Sequence, residues 1–81
     1  MAMNKKANAI LKKKFMDMGI TQCEVTGATE GLTWMHRKKR RFYNTVEELS
    51  DFNEVLLVTL AVHQKYEFDR EATELLFKQL R

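Results

Sequence analysis

The sequence predicts a small α+β domain, and three observations lead to this prediction. Each end of the chain carries apolar residues at helical spacing, and the middle contains short apolar stretches rich in β-branched residues. The chain has 81 residues, of which 44% are hydrophobic, and it has no proline. It is therefore too apolar to be disordered and long enough for one core. We expect a single domain over residues 1–81, with an N-terminal helix at 1–19, a central core at 20–68 and a C-terminal helix at 69–81.

The first helix is predicted over residues 4–18. Its apolar residues recur at steps of three and four, which predicts one buried stripe made of Ala7, Ile10, Leu11, Phe15 and Met18. Gly19 suits the position after the last turn, because glycine adopts the left-handed backbone that ends many helices. The run Lys12, Lys13 and Lys14 has two interpretations: a solvated face that complements the helix dipole, or a contact with nucleic acid.

The next segment predicts a β-hairpin. Residues 20–25 and 32–36 are rich in β-branched and apolar residues, and the stretch between them contains two glycines. The period of two along a strand puts Trp34 and His36 on the same face. We expect Trp34 to belong to the core, since a large aromatic side chain usually stabilises a small sheet by burial.

The second half predicts two further helices. Thr45 and Glu48 form a capping-box pattern before a short helix, and Asp51 and Glu54 repeat it. Residues 55–60 form either a strand or the start of a buried helix, which periodicity does not decide. Asp69 is a good N-cap for a last helix at 70–80. Its predicted inner face consists of Ala72, Leu75, Leu76 and Leu80.

The charge is modest in total but uneven along the chain. Fourteen basic and eleven acidic residues give a net charge of +3, and five cations follow one another at 37–41. Such a run predicts contacts with the phosphates of a polyanion. The candidate nucleic-acid-binding residues are Arg37, Lys38, Lys39, Arg40, Arg41, Lys12, Lys13 and Lys14.

The lone cysteine and the hydropathy pattern exclude other classes. One cysteine makes neither an internal disulfide nor a tetracysteine zinc site, so Cys23 is expected to be a free thiol without structural zinc. No apolar run reaches the 18 or so residues of a membrane span, and the first residues lack a signal-type apolar segment. We therefore expect no membrane partner and a cytoplasmic location.

The segment CEVTGATEGLTWMHRKKRR, residues 23–41, resembles the first half of an HNH (His-Me finger, ββα-metal) endonuclease. That family has a cysteine pair, an apolar strand, a metal ligand, a catalytic histidine and then basic residues. EVLLVTLAVH, residues 54–63, resembles the second half in its length and its final histidine. The resemblance covers about residues 23–70. It implies a small ββα-metal (HNH-like) core flanked by the N-terminal and C-terminal helices, with a short strand leading into a helix near 61–66.

The resemblance also implies roles for individual residues. His36 corresponds to the general base on water and His63 to a ligand of a divalent metal such as Mg²⁺, Mn²⁺ or Ni²⁺. Met35 stands at the other ligand position, where a thioether suits such ions poorly. Asn53 or Glu54 is the remaining candidate ligand. Cys23 matches the first zinc cysteine of the family, while the other three positions hold Thr26, Thr59 and Val62.

These patterns support two classes of function. The first is a DNA-binding HNH-like protein, either degenerate or a weakly active metal-dependent endonuclease acting on DNA phosphodiesters. The second is a non-catalytic interaction or inhibitor protein, of the phage or mobile-element type, that reuses the fold to bind nucleic acid or a host protein. A third interpretation is an unrelated helical interaction domain.

Overall fold

The computed structural model of the protein describes the backbone of residues 2–81 and the side chains of residues 5–81. Helix α1 spans Ala2–Asp17 and strand β1 spans Leu32–His36. A one-turn helix, α2, covers Val46–Leu49, and strand β2 covers Val55–Thr59. Helices α3 and α4 follow at Leu60–Tyr66 and Arg70–Leu80. The predicted α+β class is confirmed.

The two strands form an antiparallel sheet in which Leu32 lies opposite Thr59 and His36 opposite Val55. Two strands alone are barely stable in water, so both faces of this sheet need cover. On one face, Met35, Leu56 and Val58 pack with residues of α3 and α4. On the other, Val55 and Leu57 pack with α1. This two-sided burial explains why β2 reads as a continuous apolar run.

Helix α1 follows the prediction with a narrower buried stripe. Ala7, Leu11 and Phe15 are buried at steps of four, whereas Ile10 and Met18 are 38% and 57% exposed. Gly19 has a φ of 77°, the left-handed conformation expected after the last turn. Trp34 contributes to this side of the core, since its ring meets Phe15 edge-on at 4.9 Å.

The predicted hairpin between 20–25 and 32–36 is wrong, because β1 pairs with β2 instead. Residues 20–31 contain no strand. The Cys23 N–H donates to the Ala28 carbonyl at 2.8 Å, which closes a tight turn. Glu24 then borders β2: its N–H donates to Leu57 O, and its carboxylate accepts from Leu57 N–H, both at 2.8 Å. The segment therefore forms a turn that lies against the edge of the sheet, next to β2.

The predicted last helix has the right bounds but a different inner face. Asp69 accepts a hydrogen bond from the Ala72 N–H at 3.0 Å, as an N-cap should. The buried residues are Thr73, Leu76 and Phe77. Leu75 is 56% exposed, so its assignment to the inner face is wrong. The face is rotated because Phe77 fills the core beside Leu76, which turns Leu75 outward.

The open choice at residues 55–60 is resolved as a strand followed by a helix. Thr59 ends β2 and its hydroxyl accepts from the Val62 N–H at 3.3 Å, which starts α3. Thr45 caps α2 in the same way through the Glu48 N–H at 3.1 Å. Asp51 caps only a single 3₁₀ turn over Phe52–Glu54.

A buried ion pair joins the first and last parts of the chain. Arg81 and Glu24 meet through Nη1–Oε1 at 2.7 Å and Nη2–Oε2 at 3.0 Å, with side chains only 7% and 10% exposed. The guanidinium also donates to Phe52 O and Val55 O and lies 3.8 Å from the centre of the Phe52 ring. Such complete pairing keeps two desolvated charges in place.

Across residues 2–81, none of the helices has both the length and the apolar character needed to span a bilayer.

Candidate functional site

A cleft opens where β1 ends, between the basic run that follows β1 and the helices α3 and α4. Its volume is about 600 Å³, within the usual range of ligand-binding pockets. Both histidines line it. The residues of this cleft are Trp34, Met35, His36, Arg37, Lys38, Lys39, Arg40, His63, Tyr66, Glu67, Phe68, Arg70 and Thr73.

His36 is held in one orientation and one tautomer. Its Nε2 lies 2.8 Å from the carbonyl oxygen of Leu49. Because a carbonyl only accepts, Nε2 carries the proton, and Nδ1 is the unprotonated nitrogen of the neutral ring. The ring also meets Tyr43 edge-on at 5.5 Å. Burial is the main cause that lowers the pKa of His36 below 6.5, so the ring is neutral at pH 7.

His63 reaches the same cleft from α3. It is near enough that its positive charge would further lower the pKa of His36. The structure therefore brings together the two histidines, which lie 27 positions apart in the sequence. The spacing of the two histidines in the sequence did not by itself establish that they would line one cleft.

Arg37, the first cation of the basic run, forms ion pairs within the protein. Arg37 forms a bidentate pair with Glu74, with Nε 3.1 Å and 3.0 Å from the two carboxylate oxygens, and its Nη1 lies 3.5 Å from Glu54. This partner raises the pKa of Arg37 and lowers that of Glu74. The Tyr43 hydroxyl accepts from the Lys38 N–H at 3.0 Å and donates to Glu54 at 3.2 Å. The start of the run is thus anchored to the core.

The remaining cations of the run face solvent. Lys38, Lys39, Arg40 and Arg41 are exposed, and none forms an ion pair with an acidic side chain among residues 5–81. Arg41 lies over the Phe42 ring at 5.1 Å. Arg70, the first residue of α4, adds a further cation to the lining of the cleft.

The predicted lysines of α1 lie elsewhere. Lys12 and Lys13 line a shallow depression with Ala9, Met16 and Asp17, apart from the cleft residues. Lys13 pairs with Asp17 at 3.2 Å on the surface. Lys14 donates to the Ser50 carbonyl at 2.7 Å, which ties α1 to the end of α2.

The donors that converge on the cleft do not fit a hard divalent cation. Met35 is only 2% exposed and belongs to the core. Neither Asn53 nor Glu54 lines the cleft, and the Glu54 carboxylate is bound to Tyr43 and Arg37. No group of three or more His, Cys, Asp or Glu side chains in the described part of the chain is arranged to hold a metal ion. Two imidazoles alone make a poor site for Mg²⁺.

A second group of predicted positions meets around Cys23. We call the residues Cys23, Thr26, Thr59 and Val62 the knuckle. The Thr26 N–H donates to Cys23 Sγ at 3.4 Å, and Val62 packs in the same core cluster as Cys23. Burial raises the pKa of the thiol. Hydrogen bonds from the Thr26 side chain and from the backbone of Thr26, Val25 and Thr59 outweigh this and lower the pKa to about 7.

Sequence reasoning missed three residues of the cleft region. Glu74 holds Arg37, Arg70 adds charge, and Phe68 is 88% exposed at the cleft. Phe68 gave no clear signal, since an apolar residue directly before an N-cap often packs against the helix that follows. Glu74 gave no signal, because its partner is 37 residues away.

Comparison of this chain with family models, with curated proteins and with solved structures finds no match.

Proposed function

We propose that this protein binds DNA through the cleft, on an HNH-like ββα unit made of β1, β2 and α3 whose metal-dependent cleavage site has decayed. The observation that carries the proposal is the convergence of both histidines with four cations that lack an acidic partner among residues 5–81: Lys38, Lys39, Arg40 and Arg70. Glu67 is the only carboxylate of the cleft.

The order of elements supports the HNH-like part of this proposal. The resemblance assigns the base to the end of one strand and the metal ligand to the helix after a second strand. His36 ends β1, and His63 lies in α3, directly after β2. The four positions assigned to a zinc knuckle also meet around one sulfur, although three carry other side chains. Two independent sets of positions thus agree with one ancestral arrangement.

Phosphates are the expected targets of the cleft. Exposed lysine and arginine side chains neutralise phosphates without reading base edges, so binding depends strongly on salt. Arg37 is excluded from this role by its pairing with Glu74 and Glu54. The cations of the cleft that remain available are Lys38, Lys39, Arg40 and Arg70, and exposed Arg41 follows Arg40 in the chain.

A charge-matched pair of variants tests the proposal. Lys39→Ala/Arg40→Ala removes two cations from the cleft, and Lys12→Ala/Lys13→Ala removes two from α1. Binding of a labelled 20-base-pair duplex is measured by fluorescence anisotropy over a range of salt concentrations. We expect the cleft variant to lose at least 10-fold in affinity and to lower the salt slope by about two. The α1 variant should change less than threefold.

Two outcomes contradict the proposal. Absent binding at low salt, or binding that does not weaken with salt, excludes phosphate recognition. Equal losses in both variants mean that overall charge, and not the cleft, attracts DNA.

The neutral His36 supports cleavage activity as a second candidate. An unprotonated Nδ1 has the chemistry of a base towards water. Because the donors do not fit Mg²⁺, we expect little or no plasmid nicking in Mg²⁺, and any activity should appear first in Mn²⁺ or Ni²⁺, which bind imidazole more tightly. His36→Ala should abolish that activity. Strong wild-type nicking in Mg²⁺ that survives His36→Ala would overturn both the role of His36 and the decayed site.

A further inference from the structure

We infer that the cleft binds a DNA strand at an unpaired base, and that Phe68 stacks on that base while the cations of the cleft hold the adjacent phosphates. The inference rests on the proposed function and names the form of DNA that the cleft prefers.

Phe68 is the most exposed large apolar side chain described in the structure, at 88%. Leu60 and Leu75, each 56% exposed, lie on α3 and α4, whose other faces are buried. No aromatic or cationic side chain in the described part of the chain lies against the Phe68 ring. A ring with both faces in water has no role in packing.

The segment that carries Phe68 is held by hydrogen bonds on both sides. The Asp69 N–H donates to Tyr66 O at 3.1 Å, and the Thr73 hydroxyl lies 3.0 Å from Tyr66 O and 2.8 Å from Asp69 O. Asp69 also caps α4. The backbone on each side of the ring is therefore fixed, so the ring is presented at a defined place and is not part of a loose loop.

The surroundings of the ring suit a nucleic-acid strand. Phe68 lines the cleft together with Lys38, Lys39, Arg40 and Arg70. Glu67 adds a single negative charge to the lining of the cleft. The carboxylate of Asp69 accepts a hydrogen bond from the Ala72 N–H of its own helix. Binding of single strands typically combines a basic groove with aromatic rings on which bases stack.

A paired base offers no free face to Phe68, because its neighbours in the duplex cover it. The cations, in contrast, can contact the phosphates of both paired and unpaired strands. The ring should therefore add affinity only where a base is unpaired, whereas the cations act on both forms.

The test compares wild type with Phe68→Ala, Phe68→Tyr and Leu75→Ala. Leu75 is the matched control because it is exposed, apolar and on α4 but does not line the cleft. Each protein is titrated by anisotropy with a labelled 12-nucleotide thymidine strand and with a blunt duplex of equal length. A third oligonucleotide, a duplex with one bulged 2-aminopurine, reports stacking through its fluorescence.

We expect Phe68→Ala to weaken single-strand binding about 5- to 100-fold, to change duplex binding less than twofold and to leave the salt slope unchanged. Phe68→Tyr should stay within about twofold of wild type, and Leu75→Ala should match wild type. The 2-aminopurine signal should fall on binding to wild type but not to Phe68→Ala.

Equal affinities of wild type and Phe68→Ala for the single strand would overturn the inference. If duplex binding still depends on Lys39 and Arg40, the proposed function stands without it. If wild type binds none of the three oligonucleotides, the proposed function fails as well.

Discussion

The knuckle and the cleft were both predicted from the same resemblance, but the knuckle is buried in the core and the cleft is open to solvent. Both consist of positions that the resemblance assigns to metal ions. At the knuckle, three of the four positions hold Thr26, Thr59 and Val62, and Cys23 is buried among apolar side chains. At the cleft, His36 and His63 still share an open space with several cations.

The difference lies in the environment of each group. At the knuckle, apolar packing and hydrogen bonds to one sulfur stabilise the fold. A site that contacts a ligand must remain open, and its charges need a partner from solution. The knuckle is thus a closed part of the core, whereas the cleft keeps its accessible donors.

Placing cysteines at all four positions of the knuckle should produce the largest change in stability. The triple variant Thr26→Cys/Thr59→Cys/Val62→Cys adds three thiols next to Cys23, so that four thiolates can meet there. We expect it to bind one Zn²⁺ and to gain several kcal/mol of unfolding free energy, since structural zinc contributes about 10 kcal/mol or more in small peptides. Elemental analysis and thermal unfolding with and without chelator measure this. Adding Cys23→Ser should remove tight zinc binding. A triple variant that binds no zinc would mean that these four positions do not correspond to the zinc site of an HNH protein.

A carboxylate at Met35 tests the cleft from its buried side. Met35 is 2% exposed, so Met35→Asp places a charge in the core and should cost about 3 kcal/mol or more in chelator. If its carboxylate reaches His63, Mn²⁺ should recover part of this loss. Urea unfolding with and without Mn²⁺ is the measurement. Met35→Leu is the control and should cost less than about 1.5 kcal/mol without any effect of metal. A stable Met35→Asp would mean that position 35 is not part of the core.

The thiol of the knuckle should make stability depend on pH in an alkaline window. The pKa of Cys23 is lowered to about 7 from 9.0, so between these values the unfolded chain binds more protons than the folded one. Stability should therefore rise with pH from 7 to 9, by up to about 2 kcal/mol, and this contribution is lost as the pH falls through 7. Urea unfolding of wild type and Cys23→Ala isolates it. Parallel curves for the two proteins would show that the thiol stays protonated.

The cleft should show the smallest effect, in an acidic window. Burial lowers the pKa of His36 below 6.5. The neutral ring therefore contributes its full stabilisation above pH 6.5, and this stabilisation is lost as the pH falls through the pKa that His36 has in the folded protein. The difference in unfolding free energy between wild type and His36→Gln should shrink as the pH falls from 7.5 to 5. A proton NMR titration should give His36 a pKa below 6.5, with His63→Gln used to assign the resonance. A His36 pKa at or above 6.5 contradicts this.

Local sequence signals determined the helices and their caps. The helical spacing from Ala7 to Phe15, the glycine at 19 and the caps Thr45 and Asp69 act within four residues along the chain, where a single sequence is informative. The period of two places Met35 and Trp34 on opposite faces of β1, where Met35 is buried and Trp34 is partly buried. The sequence likewise identified Cys23 as the one cysteine and showed five cations directly after His36.

Only the tertiary structure decided which elements meet. β1 pairs with β2 across 18 intervening residues, and not with the neighbouring segment, because β2 supplies apolar residues to both faces while residues 23–28 close a turn. The same long-range packing took Arg37 out of the basic run by pairing it with Glu74, and left Phe68 exposed beside the cations. Partners that lie this far apart along the chain leave no periodic signal, so the composition of the cleft required the fold.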